Sequence, residues 1–301
     1  MNVLPERRRF DGHDPAAVIT VAAGNSRGKN MADIVCGGSD DQNAIQEAID
    51  ALPAEGGRVQ LLDGRFNVSM PIRLKSFCRL IGQGWNSAIH LARAPRSRLL
   101  EPSEKGDTAL RVVDSNGFRE GMSATIISRM PENGPEYHTA MKIVALRGDS
   151  LILDGELPFP VTSHPASRVW GTCPVIEITE AHQVSVSDLA INGNRPEQLV
   201  FRYPGDRHLA QGTCSLELCH GIAIIDKSSH ICIEKCYIHN TQASAIAARH
   251  AGSHLRFKDN RLENVGDKGI VTANTEGIGF VTGNHISQTG ESENFAARIK
   301  H

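Results

Sequence analysis

Residues 220–291 divide into three lines of 24 residues without an insertion: HGIAIIDKSSHICIEKCYIHNTQA, SAIAARHAGSHLRFKDNRLENVGD and KGIVTANTEGIGFVTGNHISQTGE. Ile222, Ile246 and Ile270 share one column, and Ile233, Phe257 and Val281 another. Ile238, Leu262 and Ile286 form a third; Cys236, Asn260 and Asn284 a fourth; Asn240, Asn264 and Gln288 a fifth. A fixed period in this range means units that bury their apolar faces only against the next unit.

Within each line apolar residues alternate over short runs, as in Ile222 and Ile224, Ile231 and Ile233, Leu255 and Phe257. Period two is a strand signal, and the Gly, Asn, Asp and Ser between the runs are turn formers. Each line therefore predicts about three short strands, one rung of a coil whose successive rungs pair in parallel at about 4.8 Å. A recurring turn asparagine suits a hydrogen-bond ladder between rungs. The predicted fold is all-β, a right-handed parallel β-helix. The rival is a leucine-rich repeat, which LRFKDNRLENV fits superficially, but the columns are Ile and Val and no helical segment closes the lines.

With 301 residues and a formal net charge of -2, the chain lacks the basic face that nucleic acid requires, so no nucleic-acid partner is expected. Aromatics at 5% argue against platforms for single-stranded bases. The seven cysteines are odd in number and form no CxxC; Cys214 and Cys219 could bridge, but all are read as reduced thiols in small core or turn sites. The first 14 residues, MNVLPERRRFDGHD, have charge with no apolar run behind them, which predicts no intact signal peptide. No stretch approaches the ~18 apolar residues of a membrane span, so no membrane partner is expected. The locations left open are the cytoplasm, a phage particle and a processed secreted form.

Residues 1–31 read as an N-terminal arm and first strand. Residues 32–103 hold one helix and the first rungs. The helix has Ser39 and Gln42 at capping-box spacing, Asp40 and Asp41 in its first turn, an apolar stripe of Ile45, Ile49 and Leu52, and Pro53 as its stop. Its expected task is to cover the open end of the coil. Residues 104–170 break the rung pattern and predict a small inserted antiparallel β subdomain. Rungs resume over 171–301, interrupted by a polar excursion at 196–219, and long departures from a regular coil are where recognition tends to sit.

The run GGSDDQNAIQEAIDALPAEGGRVQLLDGRFNVSMPIRLKSFCRLIGQG (37–84) resembles the N-terminal cap and first rungs of the pectate lyase superfamily, notably its pectate-lyase-3-like group. The features that carry the likeness are the Asp pair before the Ile-Gln-x-Ala-Ile helix, the Gly-Gly-x-Val strand, the Asp-Gly-x-Phe turn and the Leu-Ile-Gly-Gln-Gly rung end. The resemblance implies a β-helix of a kind found on lyases, hydrolases, epimerases and inert spikes, so it implies fold more than activity. Cys-His-Gly-Ile at 219–222 is similar to the strand start that carries the active-site histidine of polygalacturonases; only His220 maps, and the carboxylate pair those hydrolases need one rung earlier is not matched.

Outward side chains of stacked strands form a long groove, which suits an extended polysaccharide. The expected groove follows the sheet of Ile222, Ile246 and Ile270. Its candidate catalytic residues are His220, Arg249, Asp267 and Lys268. Candidate substrate-binding residues are Asp226, His250 and Asn274, with Arg202, Asp206, Arg207, His208 and Glu217 of the excursion. Elimination on a uronate needs a base and a positive charge; Lys268 and Arg249 are the candidates for both. No cofactor is expected. Calcium would need several converging oxygens, and only Asp226 and Asp267 offer themselves. The leading reading is a carbohydrate-active enzyme, lyase or glycoside hydrolase, acting on an acidic polysaccharide. The alternative is a non-catalytic β-helix of a phage tail spike or surface glycan-binding module, with a homotrimer as the expected assembly.

Overall fold

A computed structural model describes residues 17–129, 136–198 and 219–289. The chain winds through three parallel sheets in turn. Sheet A stacks Ile34–Val35, Val18–Ala22, Gly57–Leu61, Cys78–Ile81, His182–Ser187, Ser229–Glu234, Leu255–Lys258 and Ile278–Thr282. Sheet B stacks Gly64–Val68, Ser87–Leu91, Ala190–Asn192, Tyr237–His239, Arg261–Val265 and His285–Thr289. Sheet C stacks Ile72–Leu74, Ile176–Thr179, Ile222–Ile225, Ile246–Arg249 and Ile270–Ala273. Each complete rung contributes one strand to each sheet, and the architecture is the all-β, right-handed parallel β-helix. A leucine-rich repeat is excluded because the only α-helix among the described residues is Gln42–Ala51.

The sequence columns become physical columns. Ile176, Ile222, Ile246 and Ile270 pair in register on sheet C and are buried; each such side chain contributes about 1.5–3 kcal/mol. The register slips once. Leu255 pairs with Ile278 while Arg256 pairs with Phe280, so the last rung has a bulge at Gly279 that the 24-residue alignment hides. At the corner between sheets A and B the asparagine ladder forms. Asn260 Oδ1 accepts the Cys236 N–H at 3.0 Å, and Asn260 Nδ2 donates to the Ile233 carbonyl and to Asn284 Oδ1 at 2.9 Å each.

The helix Gln42–Ala51 lies over the first rung, with Ile45, Ala48 and Ile49 in the main core. Its polar side chains satisfy the backbone edge that the coil leaves open. Gln42 Oε1 accepts the Ser69 N–H at 3.0 Å, and Gln46 both accepts from Arg73 N and donates to Arg73 O. The capping-box expectation does not hold. Asp41, not Ser39, is the N-cap residue, and its carboxylate makes no cap bond; buried, it accepts the Gly38 and Asn67 N–H groups at 2.8 Å each. Asp40 takes the Ser69 hydroxyl and pairs with Arg119 at 3.0 Å. The two acids join helix to rung instead of starting the helix.

A fourth, antiparallel sheet interrupts the coil. It orders Arg96–Ser97, Arg168–Thr172, Ser123–Arg129, Glu136–Arg147, Ser150–Leu153 and Ala109–Arg111. It therefore begins ahead of residue 104, and it has its own core around Leu110, Ile126, Ile143, Leu151 and Val169. The described cysteines are free thiols. No helix among the described residues is long and apolar enough to cross a membrane.

Candidate functional site

The three corners of the coil are unequal. From sheet A to sheet B and from sheet C to sheet A the chain turns within a few residues. From sheet B to sheet C the connections are residues 69–71, 92–175, 193–221, 240–245 and 266–269. The antiparallel sheet and the polar excursion both leave the coil at this corner, on adjacent rungs. The neck of the excursion is pinned: Gln198 Nε2 donates to the Ala92 carbonyl at 2.8 Å and the Cys219 thiol to Gln198 Oε1 at 3.4 Å.

Above that neck His220, Ser244 and Lys268 start successive sheet C strands. The Ser244 N–H donates to His220 Nδ1 at 3.1 Å, so the ring proton sits on Nε2. The Ser244 hydroxyl donates to Asp267 Oδ2 at 3.0 Å, and Lys268 Nζ donates to Asp267 Oδ1 at 2.7 Å. Arg249 comes close enough to act on the imidazole by its charge. The structure thus joins His220, Asp267 and Lys268 through Ser244 at this corner, whereas Arg249 ends its strand at the far side of sheet C, next to His250, and reaches the imidazole by its charge alone; nor is His220 on an open wall. It is 2% exposed, and burial, with Arg249 adding to it and Asp267 opposing, lowers its pKa to about 4.

Buried polar atoms nearly always have partners. Here His220 Nε2, Gln242 Oε1 and Arg249 Nε are buried without one. Arg249 has no carboxylate partner among the described residues. Among the described residues Lys268 offsets Asp267, so the uncompensated charge acting on His220 is that of Arg249, which suits an anionic group. Gln242 was missed by sequence reasoning, since nothing in a turn glutamine distinguishes it from a solvated one.

The remaining candidates separate. Asp226, His250 and Asn274 form a column, with φ of 49°, 49° and 51°, but at the opposite corner, from sheet C to sheet A. They are left-handed corner residues, a position that Asn and Asp tolerate. Asp226 and Asp267 stand at opposite ends of sheet C, so they do not form the calcium pair considered above; among the described residues no group of three or more His, Cys, Asp or Glu is placed to hold a metal. Arg202, Asp206, Arg207, His208 and Glu217 lie outside the described residues. The polar wall expected along sheet C is also absent. Its outward positions run Glu177, Ala223, Ala247, Val271 and Thr179, Ile225, Arg249, Ala273, so of the candidate catalytic residues only Arg249 lies on the sheet and the others sit at the corner.

Polar density lies instead on the outer face of sheet B, where Trp85, Tyr237, His239, Arg261 and Glu263 cluster. The repeat register carried a signal for this face, because Tyr237, Arg261 and His285 share a column. Trp85 lies before the repeats and had none.

The family match agrees with this winding. Residues 175–295 match the family of right-handed β-helix regions. Among solved structures, the β-helix is similar to the tailspike of Pseudomonas phage phi297 (10% identity, 75% of this chain and 44% of that one, TM-score 0.29). It is similar to an open-reading-frame product of Geobacillus virus E2 (13% identity, 89% and 40%, TM-score 0.39). A third similar structure is the A-module of an Azotobacter vinelandii mannuronan C-5 epimerase (13% identity, 79% and 51%, TM-score 0.34). This β-helix spans about half the length, or less, of these structures. No curated protein matches the sequence.

Proposed function

We propose that this β-helix is a carbohydrate-active protein that holds an extended, acidic polysaccharide at the corner between sheets B and C. The observation that carries the reading is the buried, unpartnered Nε2–H of His220 together with the unpartnered Nε of Arg249, whose charge acts on that imidazole. The N-terminal likeness to the pectate-lyase-3-like group supports the same substrate class. In this reading the His220 Nε2–H donates to a sugar oxygen, while Arg249 and Lys268 offset the carboxylate.

The described residues restrict the chemistry. Lys268 donates to Asp267, Arg249 has no lone pair to offer, and His220 Nδ1 already accepts the Ser244 N–H. Asp267 is the one titratable acceptor left among them. Elimination at a uronate would use it as the base, with Arg249 neutralising the substrate carboxylate. Paired-acid hydrolysis would need a second carboxylate, for which Asp206 and Glu217 of the excursion are the candidates. Incubation with a panel of uronate polymers tests both. Ultraviolet absorbance of an unsaturated product marks elimination, new reducing ends mark hydrolysis, and silence in both removes the catalytic reading.

A second reading is favoured by the same imidazole. A neutral, buried ring with one nitrogen occupied is a better hydrogen-bond donor than proton shuttle, which fits a non-catalytic glycan-binding module of the tail-spike kind. Such a module is expected to be a homotrimer, and sedimentation of a strict monomer would count against it.

A further inference from the structure

We propose that the outer face of sheet B is a second saccharide site, in which Trp85 stacks on a sugar ring and the polar column beside it binds the ring's substituents. The ligand class rests on the reading above; the place is new. Trp85 leaves the corner between sheets A and B and lies against Tyr237, ring centroids 4.8 Å apart. Tyr237 stacks in turn on His239 at 4.4 Å. Arg261 sits over both larger rings, 5.6 Å from Trp85 and 5.3 Å from Tyr237. Glu263 locks the group by accepting from the Tyr237 hydroxyl at 3.0 Å and from Arg261 at 2.9 Å. Five side chains are thus held in place, yet Trp85 stays 53% exposed. A preorganised aromatic with free surface is costly to leave in water and serves a ligand that covers it.

The neighbouring groups point to a sugar over a protein partner. The outward positions of sheet B, from Arg65 to Ser287, carry Arg, Asn, Ala, His, Tyr, Glu and Ser, with no branched aliphatic side chain. A protein interface wants an apolar centre; a pyranose wants one aromatic face and hydrogen-bonding groups at its edge. Asn67, His90, Asn192, His239 and Glu263 supply that edge as a column, one side chain per rung at about 4.8 Å. Ala88 and Ala190, paired on neighbouring strands, leave that part of the face flat. The Arg65 guanidinium next to them donates to Asn67 Oδ1 and has no carboxylate partner among the described residues, which favours an acidic sugar.

The test uses Trp85 as its own reporter. The chain has two tryptophans, so Trp170→Phe leaves one. The full chain carrying Trp170→Phe is titrated with hexagalacturonate, alone and with Arg249→Met and Lys268→Met added. A saturable change in emission that survives the two corner substitutions, and at least a threefold weaker response in Arg65→Ala, supports the proposal even where the corner reading fails. Loss of the signal with the corner substitutions means that Trp85 reports the corner, and overturns a separate site. No emission change, with calorimetric binding still abolished by the corner substitutions, overturns the inference and leaves the corner reading standing. Emission that follows protein concentration without sugar, accompanied by faster sedimentation, assigns the face to a second copy and also overturns it.

Discussion

The Ser244 backbone N–H points at Nδ1 of His220, one rung away, at 3.1 Å. That bond decides which nitrogen carries the proton and leaves Nε2–H as the ring's free donor. It also makes His220 a fixed part of the corner. Removing the ring in His220→Ala orphans a buried N–H, which costs about 1–3 kcal/mol, and leaves a cavity besides. His220→Asn can still offer an oxygen to Ser244 and should recover part of the loss. Urea unfolding of the two variants checks the order.

Acid should weaken the fold through the same ring. The His220 pKa is about 4 in the folded state against 6.5 ordinarily. Between these values the unfolded chain binds the proton and the folded chain does not, so stability is full above about pH 6.5 and falls as pH drops toward 4. The loss from this group is up to about 3 kcal/mol. His90, lowered to about 4 mainly by burial, acts in the same direction. Stability measured from pH 7.5 to pH 4 should show a slope that His220→Asn reduces but does not abolish.

The asparagine ladder gives a prediction independent of function. Asn260 is 1% exposed and bonds Cys236, Ile233 and Asn284. Asn260→Ala leaves a buried N–H and a buried carbonyl unpaired, and should cost about 2–4 kcal/mol. Asn284→Ala, nearer the last rung and less buried, should cost less. Denaturant midpoints of both variants, at unchanged slope, check this.

The cap predicts an aggregation phenotype more than a stability loss. Replacing Gln42 and Gln46 by Ala removes side chains that occupy the free edge at Ser69 and Arg73. The double variant should retain most of its stability but associate faster at high concentration, since an open strand edge invites pairing. Light scattering over time at matched concentration measures it.

The coil was legible in the sequence because each rung repeats the same burial demand: Ile222, Ile246 and Ile270 must all face inward at one place. The corner cluster was legible for the same reason, since His220 and Lys268 fall two residues before inward isoleucines. Three things were not. Outward direction cannot be read from a column near a turn, so a buried His220 looked exposed. Left-handed corners select Asn and Asp for backbone reasons, so Asp226 and Asn274 looked like ligands. Trp85 meets Tyr237 only through the fold, because it belongs to a rung outside the regular lines.

The positive charge of Arg249 and Lys268 around His220 is what would draw an acidic polysaccharide to the corner between sheets B and C, and calorimetry with hexagalacturonate measures it most directly. Arg249→Met and Lys268→Met keep side-chain length and remove charge. The double variant should bind about 10- to 100-fold more weakly than the parent, the loss expected for charge-assisted hydrogen bonds, while its urea midpoint stays within error. Equal affinity in parent and double variant, with both folded, would contradict the assignment of this corner to an acidic polysaccharide.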